Sequence, residues 1–495
     1  MLFCDIIKNH PSEKNVFIFK DKTTTYGEFR KKVNRWSVFL QEQGVKKGDR
    51  VGLFSKNSPE FVSAYFAIVN IGAIVVPFNF QLIAPEIAYI VKDTEMKILL
   101  TRNKLDVDRA LLELGWEVPL KQFTFEEMVP SSEEDPALPE MDENDPAAII
   151  YTSGTTGRPK GAMLSQKNLL HNTDDFAAVV GVKPDDIALC VLPMYHCFGW
   201  ICSVMANLRH GSTLVIQETY IFNDAMLLIK KHSVNTICGV PTMFQLFVKG
   251  AEPGELEGFR YFVSGGAALP RILYDAFARK FGQHVQEGYG LSEATPVTTF
   301  NPTHKTKQGS IGLPIPHVEV KLVDENFNEV AVGEVGELCV KGPNVMLGYW
   351  RRPKETAYAL RNDWLHTEDL AIRDEEGYIF IVDRLKDMII SSGENVYPRE
   401  IEEVLAAHPD IKEAAVVGIP DKLRGQAICA YVVREDGGTA DKRMLRKYLL
   451  SKVAPYKVPK EFVFCEQLLR NNTGKVLKSV LREKAIVDLV NRKRV

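Results

Sequence analysis

From Tyr26 to about Phe300, segments with strand character and segments with helical character alternate without a long break, and this constrains the fold of the 495-residue chain most tightly. Short apolar runs over 50–54, 98–101, 188–192 and 236–238 read as strands, and longer segments over 59–71, 224–231 and 270–281 read as helices. Strands separated by helices cannot pair as tight hairpins and need crossover connections. The pattern therefore calls for layered α/β sheets with largely parallel strands. The most apolar stretch, 61–80, is broken by Asn70, Gly72, Pro77 and Asn79, so it is no membrane span. It reads instead as a buried helix capped by Ser58, with Pro59 in its first turn and Gly72 at its end, followed by a core strand over 74–76.

One core cannot serve so long a chain, and roughly two to four domains are expected. Residues 309–349 are rich in valine, glycine and alternating patterns, as a small β-rich subdomain would be. After Lys386 the pattern restarts with a helix over 398–407 and a strand over 413–417, and basic residues thicken from Lys442 onward. We place a boundary near Leu385, giving an N-terminal domain over 1–385 and a C-terminal domain over 386–495. Residues 131–145 carry seven acids and read as an exposed, solvated loop. A formal net charge of −3 gives no basic field for nucleic acid. The eight cysteines form no Cys-x-x-Cys pair, which suits reduced thiols and a cytoplasmic location. His196, Cys197 and Cys202 fit no zinc spacing. The N-terminus lacks a signal-peptide layout and the C-terminus is no peroxisomal address. No integral membrane segment is expected; peripheral contact with a bilayer stays open.

The string Tyr151-Thr-Ser-Gly-Thr-Thr-Gly-Arg-Pro-Lys160-Gly-Ala-Met-Leu-Ser165 follows the apolar run 147–150. Glycines let a backbone wrap an anion, while hydroxyl and N–H groups donate to phosphate oxygens. Thr152, Ser153, Gly154, Thr155, Thr156, Gly157 and Lys160 thus read as a phosphate cradle at the end of a strand. This is not the common nucleotide P-loop: Gly154 and Gly157 stand too close together, and Pro159 precedes the lysine. From composition alone, a plain surface loop reads equally well.

Other strings carry weaker signals by themselves. In Gly288-Tyr289-Gly290-Leu-Ser292-Glu293 an aromatic between glycines could take a flat base, and Glu293 is a hard-oxygen ligand suited to Mg²⁺. Gly265, Gly266 and Ala267 lie in a tight strand-to-helix turn. Asp369 could accept hydrogen bonds from both hydroxyls of a ribose. His196, inside Pro193-Met-Tyr-His-Cys-Phe-Gly-Trp200, would ordinarily be a packed core histidine, and Lys475 a solvated charge in a basic tail.

Together these strings, with Asp383-Arg-Leu-Lys-Asp-Met-Ile-Ile-Ser-Ser-Gly-Glu-Asn-Val-Tyr-Pro-Arg-Glu-Ile-Glu402 and Asn471-Asn-Thr-Gly-Lys475, resemble the motifs of the adenylate-forming superfamily. That superfamily holds acyl-CoA synthetases, aryl-CoA ligases, luciferases and peptide-synthetase adenylation domains. The resemblance runs through nearly the whole chain, with motifs in family order from 151 to 475. It implies a large N-terminal domain of α/β subdomains plus a β-rich subdomain, and a small mobile α+β C-terminal domain joined by a hinge.

The resemblance also implies roles. The 152–160 loop would hold the ATP phosphates, and Thr152 and Glu293 the Mg²⁺. Gly265, Gly266 and Ala267 would pack on adenine and the acyl group; Gly288, Tyr289, Gly290 and Ser292 form the adenine motif, with serine where threonine is usual. Asp369 and Arg384 would meet the ribose and phosphate, Lys386 is the hinge position, and Gly393 would let a pantetheine arm pass. Lys475 would stabilise charge developing on the carboxylate and α-phosphate. His196 would stand near the reacting carboxylate. Phe198, Trp200, Cys202, Val240, Met243, Pro296 and Val297 match pocket-lining positions, and none is charged, so an apolar chain should fit. Glu368 replaces the family's usual glycine, which puts the local backbone geometry and charge in question. The expected activity is a Mg²⁺-dependent medium- or long-chain fatty acid:CoA ligase using ATP and CoA. An aryl-CoA ligase, a carrier-protein loader and a non-catalytic nucleotide-binding protein are the rivals. Oligomeric state is open, a homodimer included.

Overall fold

The computed structural model describes residues 1–152, 159–303, 305–391, 394–421, 424–470 and 476–492, with side chains through 488. By compactness the chain divides into two units: Met1–Val320 with Val340–His366, and Lys321–Cys339 with Thr367–Val495.

The first unit is built on two sheets. In the nine-stranded sheet the strands run Leu313–Pro314, Val297–Phe300, Val285–Gly290, Tyr261–Ser264, Thr236–Gly239, Ile187–Cys190, Thr213–Ile216, Asn15–Phe19 and Lys22–Thr25. The seven-stranded sheet runs Gly348–Tyr349, Lys160–Ser165, Pro146–Thr152, Ile74–Pro77, Arg50–Phe54, Ile98–Thr101 and Lys121–Thr124. Both are parallel in their interiors; the nine-stranded sheet is antiparallel at both margins, the seven-stranded one only at its Gly348–Tyr349 end. The α/β expectation holds, and the antiparallel pairs at the margins are what the alternation pattern did not reveal.

Helix Pro59–Asn70 explains the most apolar stretch of the sequence. Ser58 Oγ accepts from Phe61 N at 3.2 Å and Pro59 opens the helix, as expected. Apart from Glu60 every residue of it is buried. A helix that is apolar all round belongs inside a core, and this one contributes Phe61, Phe66 and Ile68 to a cluster that draws Leu53 and Val75 from one sheet and Phe17 and Cys190 from the other. Each such side chain contributes about 1.5–3 kcal/mol on burial. Each sheet has an apolar cluster on its other face too, around Phe244, Phe262 and Phe277 in one case and Val76, Ile87 and Leu99 in the other. Sheets covered on both faces read as continuous apolar runs, which is why these strands were legible.

The second unit holds most of a four-stranded sheet (Glu319–Val323, Gly336–Lys341, Leu365–Arg373, Ile379–Arg384) and a five-stranded one centred on the hairpin Ile411–Asp421 with Gly425–Arg434. Helices Pro398–Ala406, Lys442–Leu450 and Lys478–Arg492 complete it. Residues 367–385, which the sequence reading put with the N-terminal domain, fall in this unit. Among the described residues no helix is long and apolar enough to cross a membrane.

Candidate active site

Four neighbouring strands of the nine-stranded sheet deliver most of the predicted residues. The segment after Ile187–Cys190 carries His196, Phe198, Trp200 and Cys202; the end of Thr236–Gly239 carries Val240 and Met243. The end of Tyr261–Ser264 carries Gly265, Gly266 and Ala267, and Val285–Gly290 runs into Ser292 and Glu293. Carboxyl ends of parallel strands are where α/β sheets bind ligands, because successive loops converge there.

The contacts among these segments are close. A Cβ at Gly265 would stand 3.0 Å from Phe198 Cζ, so only glycine lets the ring lie against this turn. Gly266, at φ +77°, has Val240 Cγ1 as its nearest neighbour. Phe198, Val240 and Met243 are half-buried and lean on the core cluster that contains Trp200, Cys202 and Val297. Phe198 N donates to His196 Nδ1 at 3.2 Å, so a neutral His196 carries its proton on Nε2. Pro296 is buried, and Ala267 is exposed. Trp200 and Cys202 sit on a π-helix, Gly199–Met205, a rare form concentrated at functional sites. Trp200 is 3% exposed and packs tilted against Tyr65, with ring centroids 4.0 Å apart, beside Phe61. Cys202 lies under Cys238, whose thiol donates to its carbonyl.

The two described ends of the phosphate string pair as antiparallel strands. Thr152 pairs with Lys160 across the antiparallel strands, and Thr152 Oγ1 donates to Lys160 O at 3.4 Å. Ser153, Gly154, Thr155, Thr156 and Gly157 lie outside the described residues. Both feet of the loop are fixed on helix Ala84–Thr94. Tyr151 OH donates to Asp93 Oδ2 at 2.5 Å, Tyr89 OH donates to Pro159 O at 3.2 Å, and Arg352 ion-pairs with Asp93 at 3.0 Å. Burial, reinforced by the Asp93 carboxylate, pushes the Tyr151 phenol far above its usual range.

A residue the sequence reading missed joins this strand pair to Glu293. Tyr349 pairs with Ala162 at the sheet margin, its hydroxyl donates to Glu293 Oε1 at 2.9 Å, and Lys160 Nζ stands 4.5 Å from the centre of its ring. A cation over a tyrosine face is attracted by the ring quadrupole. Ser292 hydrogen-bonds the Cys197 thiol, which burial raises to about 12, and so touches the His196 segment. Two buried asparagines hold the turn from behind. Asn172 donates to Val297 O and accepts from Val297 N, and Asn344 donates to Ala294 O and Val297 O. Gly290 has a packing reason of its own, since a Cβ there would fall 1.8 Å from Pro296 O. Gly288 faces Phe300 across the strand pair, and Tyr289 is half-buried. A phenol holds one Glu293 carboxylate oxygen, and among the described residues Glu293 makes no ion pair. That donor chemistry fits a hard divalent cation.

In the second unit, Asp369 and Arg384 oppose each other on adjacent strands and ion-pair at 3.2 Å, with Asp369 buried. Glu368 adopts φ +59°, a backbone region that favours glycine; its N–H donates to Glu337 Oε1 and its carbonyl accepts from Leu385 N. Partial desolvation, then the Arg384 charge, draws the Lys386 ammonium below its usual range, against Asp387, Glu368 and Asp369. Gly393 and Lys475 lie outside the described residues.

A family model described as AMP-binding enzyme matches residues 4–350, and one described as AMP-binding enzyme C-terminal domain matches 400–475. A feruloyl-CoA synthase of Amycolatopsis sp is 36% identical over 468 residues, which are 93% of this chain and 94% of its own. A long-chain-fatty-acid–CoA ligase of Bacillus subtilis (strain 168) is 34% identical over 513 residues, covering 95% of this chain and 92% of its own. The crystal structure of ATP-bound MatB from Rhodopseudomonas palustris superposes with a TM-score of 0.92 at 31% identity, covering 98% of this chain and 99% of that one.

Proposed function

The chain belongs to the AMP-binding enzyme family, among its adenylate-forming CoA ligases, and from that premise we propose that it activates a medium- or long-chain fatty acid. The observation that carries the reading is the Lys160–Tyr349–Glu293 linkage. It ties a phosphate-type loop to a hard-oxygen carboxylate, and Ser292 brings that carboxylate beside the uncharged segment around Phe198.

In the first half-reaction the substrate carboxylate attacks the α-phosphorus of ATP; the bond to the bridging oxygen breaks, and pyrophosphate leaves. Lys160 and the 152–157 loop hold the phosphates. Glu293 and Thr152 would hold Mg²⁺, which when bound neutralises phosphate charge. Lys475 stabilises charge developing at the reacting centre, and His196, with its proton on Nε2, stands by the carboxylate. Asp369 and Arg384 exchange their mutual pair for the ribose and phosphate. In the second half-reaction the CoA thiol attacks the acyl carbonyl, its proton is lost, and AMP leaves. A rotation about Lys386 withdraws Lys475 and brings the Gly393 face to the site, because one place must serve two constellations in turn. The cysteines of the described residues are free, and all but Cys465 are buried, which suits a reducing cytoplasm.

An aryl acid is the second reading. It is favoured by the likeness to the feruloyl-CoA synthase and by the Phe198 ring lying against Gly265, a wall on which a flat substrate could stack. Pyrophosphate release with Mg·ATP and CoA, measured over straight-chain acids from acetate to palmitate and over benzoate and 4-coumarate, separates them. An optimum among C6–C18 acids supports the fatty acyl reading; preference for the aromatic acids replaces it.

A further inference from the structure

Asn57 lies between strand Arg50–Phe54 and helix Pro59–Asn70, whose cap is Ser58, and is 3% exposed. Its carboxamide reaches across to the other sheet of the first unit. Nδ2 donates to Leu192 O at 2.9 Å and to Gln217 O at 3.2 Å, and Oδ1 accepts from Met194 N at 2.9 Å. Leu192 follows strand Ile187–Cys190, and Gln217 follows strand Thr213–Ile216. One buried side chain therefore ties together the carboxyl ends of strands drawn from both sheets. The amide fits only one way round, because Nδ2 faces two acceptors and Oδ1 faces a donor.

These backbone groups need such a partner. The chain has left the nine-stranded sheet after Cys190, Pro193 has no N–H to offer, and Leu192 and Met194 are buried. Beyond Met194 the chain folds back on Pro193. His196 N donates to Pro193 O at 3.1 Å, and Trp200 N donates to His196 O at 2.9 Å. A Cβ at Gly199 would fall 2.4 Å from Pro193 O, so only glycine permits this closure. Asn57 thus holds both sides of Pro193, and Pro193 in turn holds His196. Cys197, directly after it, meets Ser292 beside Glu293.

We propose that Asn57 is a positioning residue for the first half-reaction: by fixing Leu192 O and Met194 N on either side of Pro193, it aims His196 at the reacting carboxylate. This rests on the assignment of His196 to that carboxylate. Asn57 acts without touching the substrate, so its effect passes through His196. A clamp that served stability alone would act independently of His196.

The test measures acid-dependent ATP–pyrophosphate exchange in the full-length enzyme for Asn57→Ala, His196→Ala and the double variant. Asn57→Ala should lower the exchange kcat roughly 10–100-fold, as a small misplacement of a catalytic group does. The KM for ATP should stay within about twofold of wild type. The double variant should be no more than about threefold slower than His196→Ala alone, because groups that act as a unit are not additive. If Asn57→Ala does not fold, Asn57→Ser, which keeps a donor and an acceptor, carries the same expectation at smaller amplitude. A double variant whose loss is the product of the two single losses, or exchange at the wild-type rate in Asn57→Ala, overturns the proposal. His196→Ala by itself separates the two claims: if it leaves exchange intact, the His196 assignment fails, and with it the ground for the inference.

Discussion

Tyr349 holds a lysine on its ring face and a carboxylate on its hydroxyl, and its partners come from distant parts of the chain: Glu293 is 56 residues away. Removing only the hydroxyl, Tyr349→Phe, should leave Lys160 its ring but free Glu293 to wander. Losing about 1 kcal/mol of orientation should raise the Mg²⁺ concentration for half-maximal exchange several-fold, and direct Mn²⁺ binding in the presence of ATP should weaken in step. Unchanged metal dependence would remove Tyr349 from the site. Glu368 makes the opposite kind of prediction. A side chain held at φ +59° is strained, so Glu368→Gly should stabilise the protein by about 0.5–1 kcal/mol in thermal or denaturant melts; a lower midpoint would mean that the Glu368 side chain contributes more than its backbone costs. The contrast marks what single residues disclose. Lys160, Glu293 and Asp369 stand in local strings whose chemistry can be read in place. Tyr349, Asp93 and Arg352 act only through partners that folding brings to them, and no spacing rule reaches that far.

At the scale of elements, the strands Arg50–Phe54 and Ile98–Thr101 fall where their apolar runs predict. The run over 188–192 overshoots, because the strand ends at Cys190 while the core below the following loop still demands Val191 and Leu192. Pro270 caps the helix Arg271–Phe281 rather than opening it. The π-helix around Trp200 could not be read at all: its apolar residues suit an α-helix just as well, and the extra residue per turn is imposed by packing. The asparagine clamp was equally silent, since an asparagine within a helical pattern reads as a polar face. Yet Asn172 satisfies both backbone groups of Val297 from the buried side of helix Gln166–Val180. Asn172→Ala strands Val297 N, while Val297 O keeps its bond from Asn344. We expect a destabilisation of about 1–3 kcal/mol by denaturant titration, together with a raised Mg²⁺ requirement, because the Glu293 turn loses part of its support. A melt within about 0.5 kcal/mol of wild type would contradict the clamp.

For the whole molecule, the sequence places a boundary near Leu385, whereas compactness assigns residues 367–385 to the second unit. A link across that boundary is Asp383 Oδ2, which accepts from Arg399 N in the first turn of helix Pro398–Ala406. It is not visible in a linear pattern. The proposed hinge at Lys386 therefore lies within a bonded turn, and Lys386→Pro, which fixes one backbone angle there, should slow thioester formation from supplied acyl-AMP far more than it slows exchange. An unaffected thioester rate would remove the hinge. The account as a whole depends on two separable chemical steps, and ATP–pyrophosphate exchange without CoA isolates the first. With the preferred acid and Mg·ATP, labelled pyrophosphate should enter ATP in the absence of CoA, and thioester and AMP should form only when CoA is added. Exchange that requires CoA, or nucleotide turnover yielding ADP and phosphate, would contradict the acyl-adenylate mechanism outright.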